Sequence, residues 1–139
     1  MSRTIKHEYR NMLHTALVMD CAISAMALGD ALMGGDVISG QLLRERLEVE
    51  LRLLDDLAWA PDAARDHFEL TLSDDQLARA ARRLHCVGAD LVAEYNATDV
   101  DQRTVEIEAG REVGLKVVLL THHLLRDIDA SDARPKEVC

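Results

Sequence analysis

A chain of 139 residues has the length of one domain, and folding should bury roughly two-thirds of its unfolded surface, enough for a core without staples. Its net charge of −9 offers no basic footprint for the phosphates of DNA or RNA. Tyr9, Trp59, Phe68 and Tyr95 are its only aromatic residues, too few for a base-stacking platform.

The composition is 48% apolar and 29% charged, rich in Ala, Leu, Arg, Glu and Asp. These are mainly helix formers, and the two prolines, Pro61 and Pro135, fall outside the periodic segments, so the expected class is all-α. Cys21, Cys86 and Cys139 follow no spacing pattern, which fits reduced thiols in a cytoplasmic protein and not a disulfide framework.

The first helix is predicted over residues 4–33 and contains the longest nearly apolar run, Met12 to Met33. Its apolar arc exceeds half the circumference, which predicts burial against several neighbours. A membrane span needs a similar length, but Asp20, Asp30 and His14 oppose it, and no short apolar core with a cleavage site marks a signal peptide. The expectation is a buried helix of a soluble protein with no membrane partner.

Gly34-Gly35 stops this helix, and Asp36 or Ser39 caps a second one that reads to Ala58. Leu43, Leu47, Leu51, Leu54 and Leu57 make its stripe, and Glu50 projects within it. Charge pairs such as Arg44–Glu48 and Glu48–Arg52 stand at i,i+4 on the other side, and Glu50, paired with Arg46 at the same spacing, is the one member that breaks the pattern. Pro61 ends the helix and opens the longest connection, with a helical turn expected around 62–67. Phe68, Leu70 and Leu72 alternate with polar residues, as in a short extended piece packed on the bundle end.

Ser73-Asp74-Asp75-Gln76 has the spacing of a capping box and starts the third helix, which runs to Asn96 through Leu77, Ala81, Leu84, Gly88, Leu91 and Tyr95. Asp99 or Asp101 starts the fourth, which runs to Asp129 with Val113, Val117, Leu120, Leu124 and Ile128 inside. Residues 1–130 therefore read as one antiparallel four-helix bundle, up-down-up-down, with a flexible tail over 131–139. Gly110-x-x-x-Gly114 and Ala25-x-x-x-Gly29 come to the same height in that arrangement, which predicts close approach of the first and fourth helices.

Two constellations bear on chemistry. Asp20, Glu50 and Glu106 aim inward, with His85 and Lys116 at the edges of their stripes. A lone buried carboxylate is costly, so Asp20 should pair with Lys116 or with a polar group of a facing helix. A pocket formed by Asp20, Glu50, His85 and Lys116 is the ligand-binding alternative.

The second is a histidine-rich pole of His7, His14, His122 and His123, which His67 enters from the long connection. The histidines lack metal-ligand spacing, and steps of seven along the first helix put ligands about 10 Å apart. Only His123 and Asp127 converge, at i,i+4, so no cofactor is expected and a divalent metal on that pair is the one candidate. Arg79, Arg82 and Arg83 read as a solvated basic face.

No nucleophile elbow, phosphate loop or metalloenzyme motif is present, so an enzyme is not expected. Surplus apolar positions on the first helix, with Leu115 and Leu119 on the outer side of the fourth, favour a non-enzymatic interaction module that forms a homodimer or docks a protein partner. The alternative is a bundle that binds a metal or small ligand through its interior Asp, Glu and His groups.

Overall fold

The computed structural model describes residues 3–58 and 67–131. Four helices dominate: α1 (Arg10–Met33), α2 (Val37–Asp56), α3 (Asp74–Ala97) and α4 (Val105–Ser131). Two short strands, β1 (Arg3–Lys6) and β2 (His67–Leu70), pair antiparallel, with Ile5 opposite Phe68 and Arg3 opposite Leu70. The class is the expected all-α bundle with one small hairpin added.

The helices pair as two antiparallel hairpins, α1 with α2 and α3 with α4. One end is tied firmly. Arg10 Nε at the start of α1 donates to Leu57 O beyond the end of α2, at 2.9 Å. Asp56, in the last turn of α2, accepts from Thr71 N at 2.9 Å and from the Thr71 hydroxyl at 3.0 Å. Arg3 of β1 makes a 2.9 Å ion pair with Asp74, the first residue of α3. This pairing holds the Asp74 carboxyl below the usual carboxylate range. α1 and α3 thus start together and run the same way.

Most boundaries follow the local signals. Ser73 accepts from Gln76 N and the Gln76 side chain returns to Ser73 N, the complete capping box. Asp36, not Ser39, caps α2, accepting from Ser39 N at 3.1 Å. Gly35 takes φ of 72° in the tight turn between α1 and α2, where a residue with a Cβ would be strained. The extended piece at 68–72 is β2 and the residues after it, as expected.

Three boundaries differ. Residues 4–9 are not the first turn of α1 but strand β1 and a 3-10 turn over His7–Tyr9, because Ile5 is drawn under Phe68. α4 begins after Thr104, whose hydroxyl accepts from Ile107 N at 3.2 Å, while Asp99 and Asp101 belong to a separate 3-10 turn. α4 also continues past Asp129 to Ser131. The turn expected at 62–67 and the tail after 131 lie outside the described residues, apart from His67 in β2.

The core is confined to the strand end. Ile5, Phe68 and Leu70 close it from the hairpin, over Leu13 and Leu17 of α1, Leu53 of α2, Leu77 and Leu84 of α3, and Val117 and Leu124 of α4. In α2 the buried line is Glu50, Leu53 and Leu57, so Leu51 of the expected stripe stands half exposed. Beyond Ser24 nothing in α1 is buried, and beyond Gly88 nothing in α3. In the other direction α4 has no buried residue before Gly114, and α2 only Gly40 before Glu50. At that end about a third of α1, α3 and α4 contributes no buried residue, and the first 13 residues of α2 contribute only Gly40.

This corrects the expectation for α1. Its apolar arc is as wide as predicted, but only the face of Leu13, Ala16, Leu17, Asp20 and Ser24 is enclosed. The small residues also serve a different contact. A Cβ built on Gly114 would lie 2.6 Å from Gly88 O of α3, and Gly110 faces Leu91 of α3. Gly29 has nothing within 4 Å and Ala25 is exposed, so close approach occurs between α3 and α4, not between α1 and α4.

Candidate functional site

Polar side chains gather where the core stops. Asp20 is fully buried, and its neighbours one turn away, Ala16, Leu17 and Ser24, are buried with it. Arg83 reaches it from α3: its Nε donates to Asp20 Oδ1 at 3.0 Å and to Oδ2 at 3.2 Å. Both residues stand nearly three turns into parallel helices, which puts them at one height. Ser24 Oγ donates to Glu50 Oε1 at 3.2 Å, and the Cys21 thiol lies 3.9 Å from Oε2.

Glu50, only 2% exposed, completes the cluster. Its ordinary value of 4.5 is pushed up to about 8, first by burial, then by a hydrogen bond to Asp20 and the charge of that carboxylate; Ser24 and Arg46 pull the other way. The physical picture is a neutral Glu50 carboxyl that donates its proton to an Asp20 carboxylate held by Arg83. Burial and the same two acids push the Cys21 thiol up to about 11, so it is a poor nucleophile at neutral pH. Among the described residues no buried side-chain polar atom lacks a partner. A satisfied network of this kind costs far less than isolated buried charges.

Glu50 and Arg83 also border a cleft of about 660 Å³ between α2 and α3. α2 supplies Leu42, Arg46, Val49 and Arg52 to its walls, with Glu45 and Glu48 at the same face. α3 supplies Gln76, Arg79 and Ala80, and Leu72 lies between the two helices. Arg52 is committed to Thr71 at 3.3 Å, whereas Arg46 and Arg79 make no hydrogen bond or ion pair with a described residue.

The site residues expected from sequence separate into two groups. Asp20 and Glu50 are both buried and meet through a hydrogen bond. Lys116 is exposed and does not pair with Asp20; Arg83 does, because Lys116 sits on the solvent edge of α4 while Asp20 turns toward α2 and α3. His85 faces α4, its Nδ1 3.0 Å from the hydroxyl of buried Thr121, and stays out of the cluster. Glu106 is exposed, not inward.

His123 and Asp127 are both exposed on α4, and among the described residues no three His, Cys, Asp or Glu side chains come together as a metal site. His7 stacks on Phe68 with ring centroids 5.7 Å apart, a packing role at the strand end. Sequence reasoning missed Arg83 and Arg79 by assigning both to a solvated face. Asp20 and Arg83 stand at similar distances from the starts of parallel helices only once α1 begins at Arg10, so the sequence, which predicts a start at residue 4, carried no such signal.

The second feature is apolar. Met26, Leu32 and Met33 at the end of α1 and Val37, Ile38 and Leu42 at the start of α2 are all exposed, Met33 at 90% and Val37 at 77%. Val100, in the connection before α4, and Val105, the first residue of α4, are exposed at the same end of the molecule. Leu115 and Leu119, on the outer side of α4, are nearly half exposed.

No known relative is found. Comparisons with protein-family models, with curated proteins and with solved structures give no match.

Proposed function

We propose that this chain is a non-enzymatic, self-associating helical module whose α1–α2 tip packs against the same tip of a second copy. The observation that carries the reading is the unfinished core: large apolar side chains continue along α1 and α2 after burial has stopped. Met26, Leu32, Met33, Val37, Ile38 and Leu42 together expose on the order of 800 Å², about what each partner contributes to a standard-size interface. A two-fold contact sets one patch against itself, so a second copy needs no other complementary surface. Arg44, Glu45 and Glu48 stand exposed beside the patch and supply both signs of charge for a self-complementary rim.

α1 also has the length and composition of a membrane span, with only 22% of its apolar window buried. A lipid surface is therefore the rival occupant, and the test separates the two. Sedimentation equilibrium from 1 to 100 μM, with and without vesicles, should show a dimer that Met33→Glu with Val37→Glu converts to a folded monomer. A monomer throughout that range refutes the proposal, and a monomer that floats with vesicles assigns the tip to lipid instead.

A further inference from the structure

The cleft between α2 and α3 points to a function separate from association. We infer that it binds a small organic monoanion, a carboxylate carrying an apolar body, with Arg46 and Arg79 at the carboxylate and Val49, Leu72 and Ala80 along the body.

Volume comes first: about 660 Å³ lies within the range of sites that hold small molecules. The lining is divided as such a ligand requires. Leu42, Val49, Leu72 and Ala80 offer apolar surface, and Arg46 and Arg79 offer guanidinium forks that make no hydrogen bond or ion pair with a described residue, Arg46 acting on Glu50 only through its charge. Arg83 uses only its Nε on Asp20, which leaves its terminal nitrogens as further donors. Planar guanidinium donors match a carboxylate in pairs and tolerate partial burial better than ammonium groups.

Charge then limits the ligand to one negative unit. On a protein of net charge −9 the cleft is locally positive. Asp20 neutralises Arg83, and Glu45 and Glu48 offset two of the three guanidiniums of Arg46, Arg52 and Arg79. Glu50, raised to about 8, is neutral at pH 7 and adds no repulsion. One positive charge remains, which suits a carboxylate and not a doubly charged phosphate. Glu50 is held on its inner side by Ser24 and Asp20, so it closes the floor of the site without competing for the arginines.

Calorimetric titration of the full chain at pH 7 with sodium octanoate, 1-octanol, octyl phosphate and sodium acetate tests the inference. Octanoate should bind once per chain, at least tenfold more tightly than each of the other three. Arg46→Gln with Arg79→Gln should weaken octanoate tenfold or more, and Arg79→Lys, which keeps the charge but loses the planar pair of donors, should weaken it at least threefold. Both arginines lie outside the core, and an unchanged circular dichroism spectrum confirms the fold. Amide resonances of Val49 and Ala80 should shift on titration while those of Met33 and Val37 do not. Absent octanoate binding, equal affinity for octanol, indifference to the double substitution, or shifts confined to the tip would each overturn the assignment. The tip and the cleft share Leu42, Glu45 and Glu48 at their border, but Arg46 and Arg79 belong to the cleft alone, so the arginine substitutions test the cleft whether or not the chain is a dimer.

Discussion

Replacing Glu50 by Gln tests the central electrostatic argument. Gln keeps the shape, still accepts from Ser24 through its oxygen and still donates to Asp20 through its amide, but it cannot ionise. In the native chain a carboxyl of ordinary value 4.5 is raised to about 8. The folded state then binds more protons than the unfolded state between those values. Stability is fully present below about 4.5 and is lost as pH rises through 8. At ~1.4 kcal/mol per pH unit that window corresponds to about 5 kcal/mol if fully expressed. Arg46 turning toward an ionised Glu50, and water entering from the cleft, reduce it, so a loss of about 2–3 kcal/mol between pH 5 and pH 9 is expected. Urea denaturation of parent and Glu50→Gln at pH 5, 7 and 9 measures it. The variant should gain on the parent steadily as pH rises. Parallel curves would mean that Glu50 is ionised in the folded state at neutral pH, and the shared-proton account would be wrong.

Two further substitutions separate elements of the fold. Arg83→Met leaves the Asp20 carboxylate enclosed without its cation and should cost about 3 kcal/mol, with most of the loss recovered by adding Asp20→Leu. If Arg83→Met changes the urea midpoint no more than an exposed Arg82→Met control, the pair is not structural. Gly114→Ala places a methyl 2.6 Å from the Gly88 carbonyl oxygen and must spread α3 from α4, costing about 3 kcal/mol. Gly110→Ala meets only Leu91 at 3.4 Å and should be neutral or stabilising by up to ~1 kcal/mol through helix propensity. Equal effects in thermal denaturation would dismiss the close-approach argument.

What could be read from the chain depended on how local the signal was. The capping box at Ser73 and the stop at Gly34-Gly35 are complete within a few residues, and both stand where expected. Asp20 and Glu50 were legible because each interrupts an apolar stripe, and a stripe dictates which side turns inward. Their partner was not. Periodicity gives height along a helix, which is how Lys116 was chosen, but the direction in which Asp20 turns depends on how helices are placed around the bundle. β1 left no mark either, since its four residues acquire meaning only against Phe68 and Leu70, far along the chain. α1 was over-read for the opposite reason. Apolar composition states what a helix could bury, whereas the neighbours present decide what it does bury.

The pairing of β1 with β2 also sets an order of events during synthesis. Ile5 emerges 63 residues before Phe68, its partner in the register. At a translation rate of ~5–20 residues per second, roughly 3–13 s pass before the second strand exists. Throughout that interval Ile5 and the inner face of α1 have only α2 to cover them, and Asp20 has no Arg83. α3 and α4, by contrast, are joined by a short connection and meet at Gly88 and Gly114, so they can dock as soon as both are made. The nascent chain thus carries the outer part of its most apolar helix uncovered for longest, and the strand hairpin can form as soon as Leu70 is made, before the third helix begins.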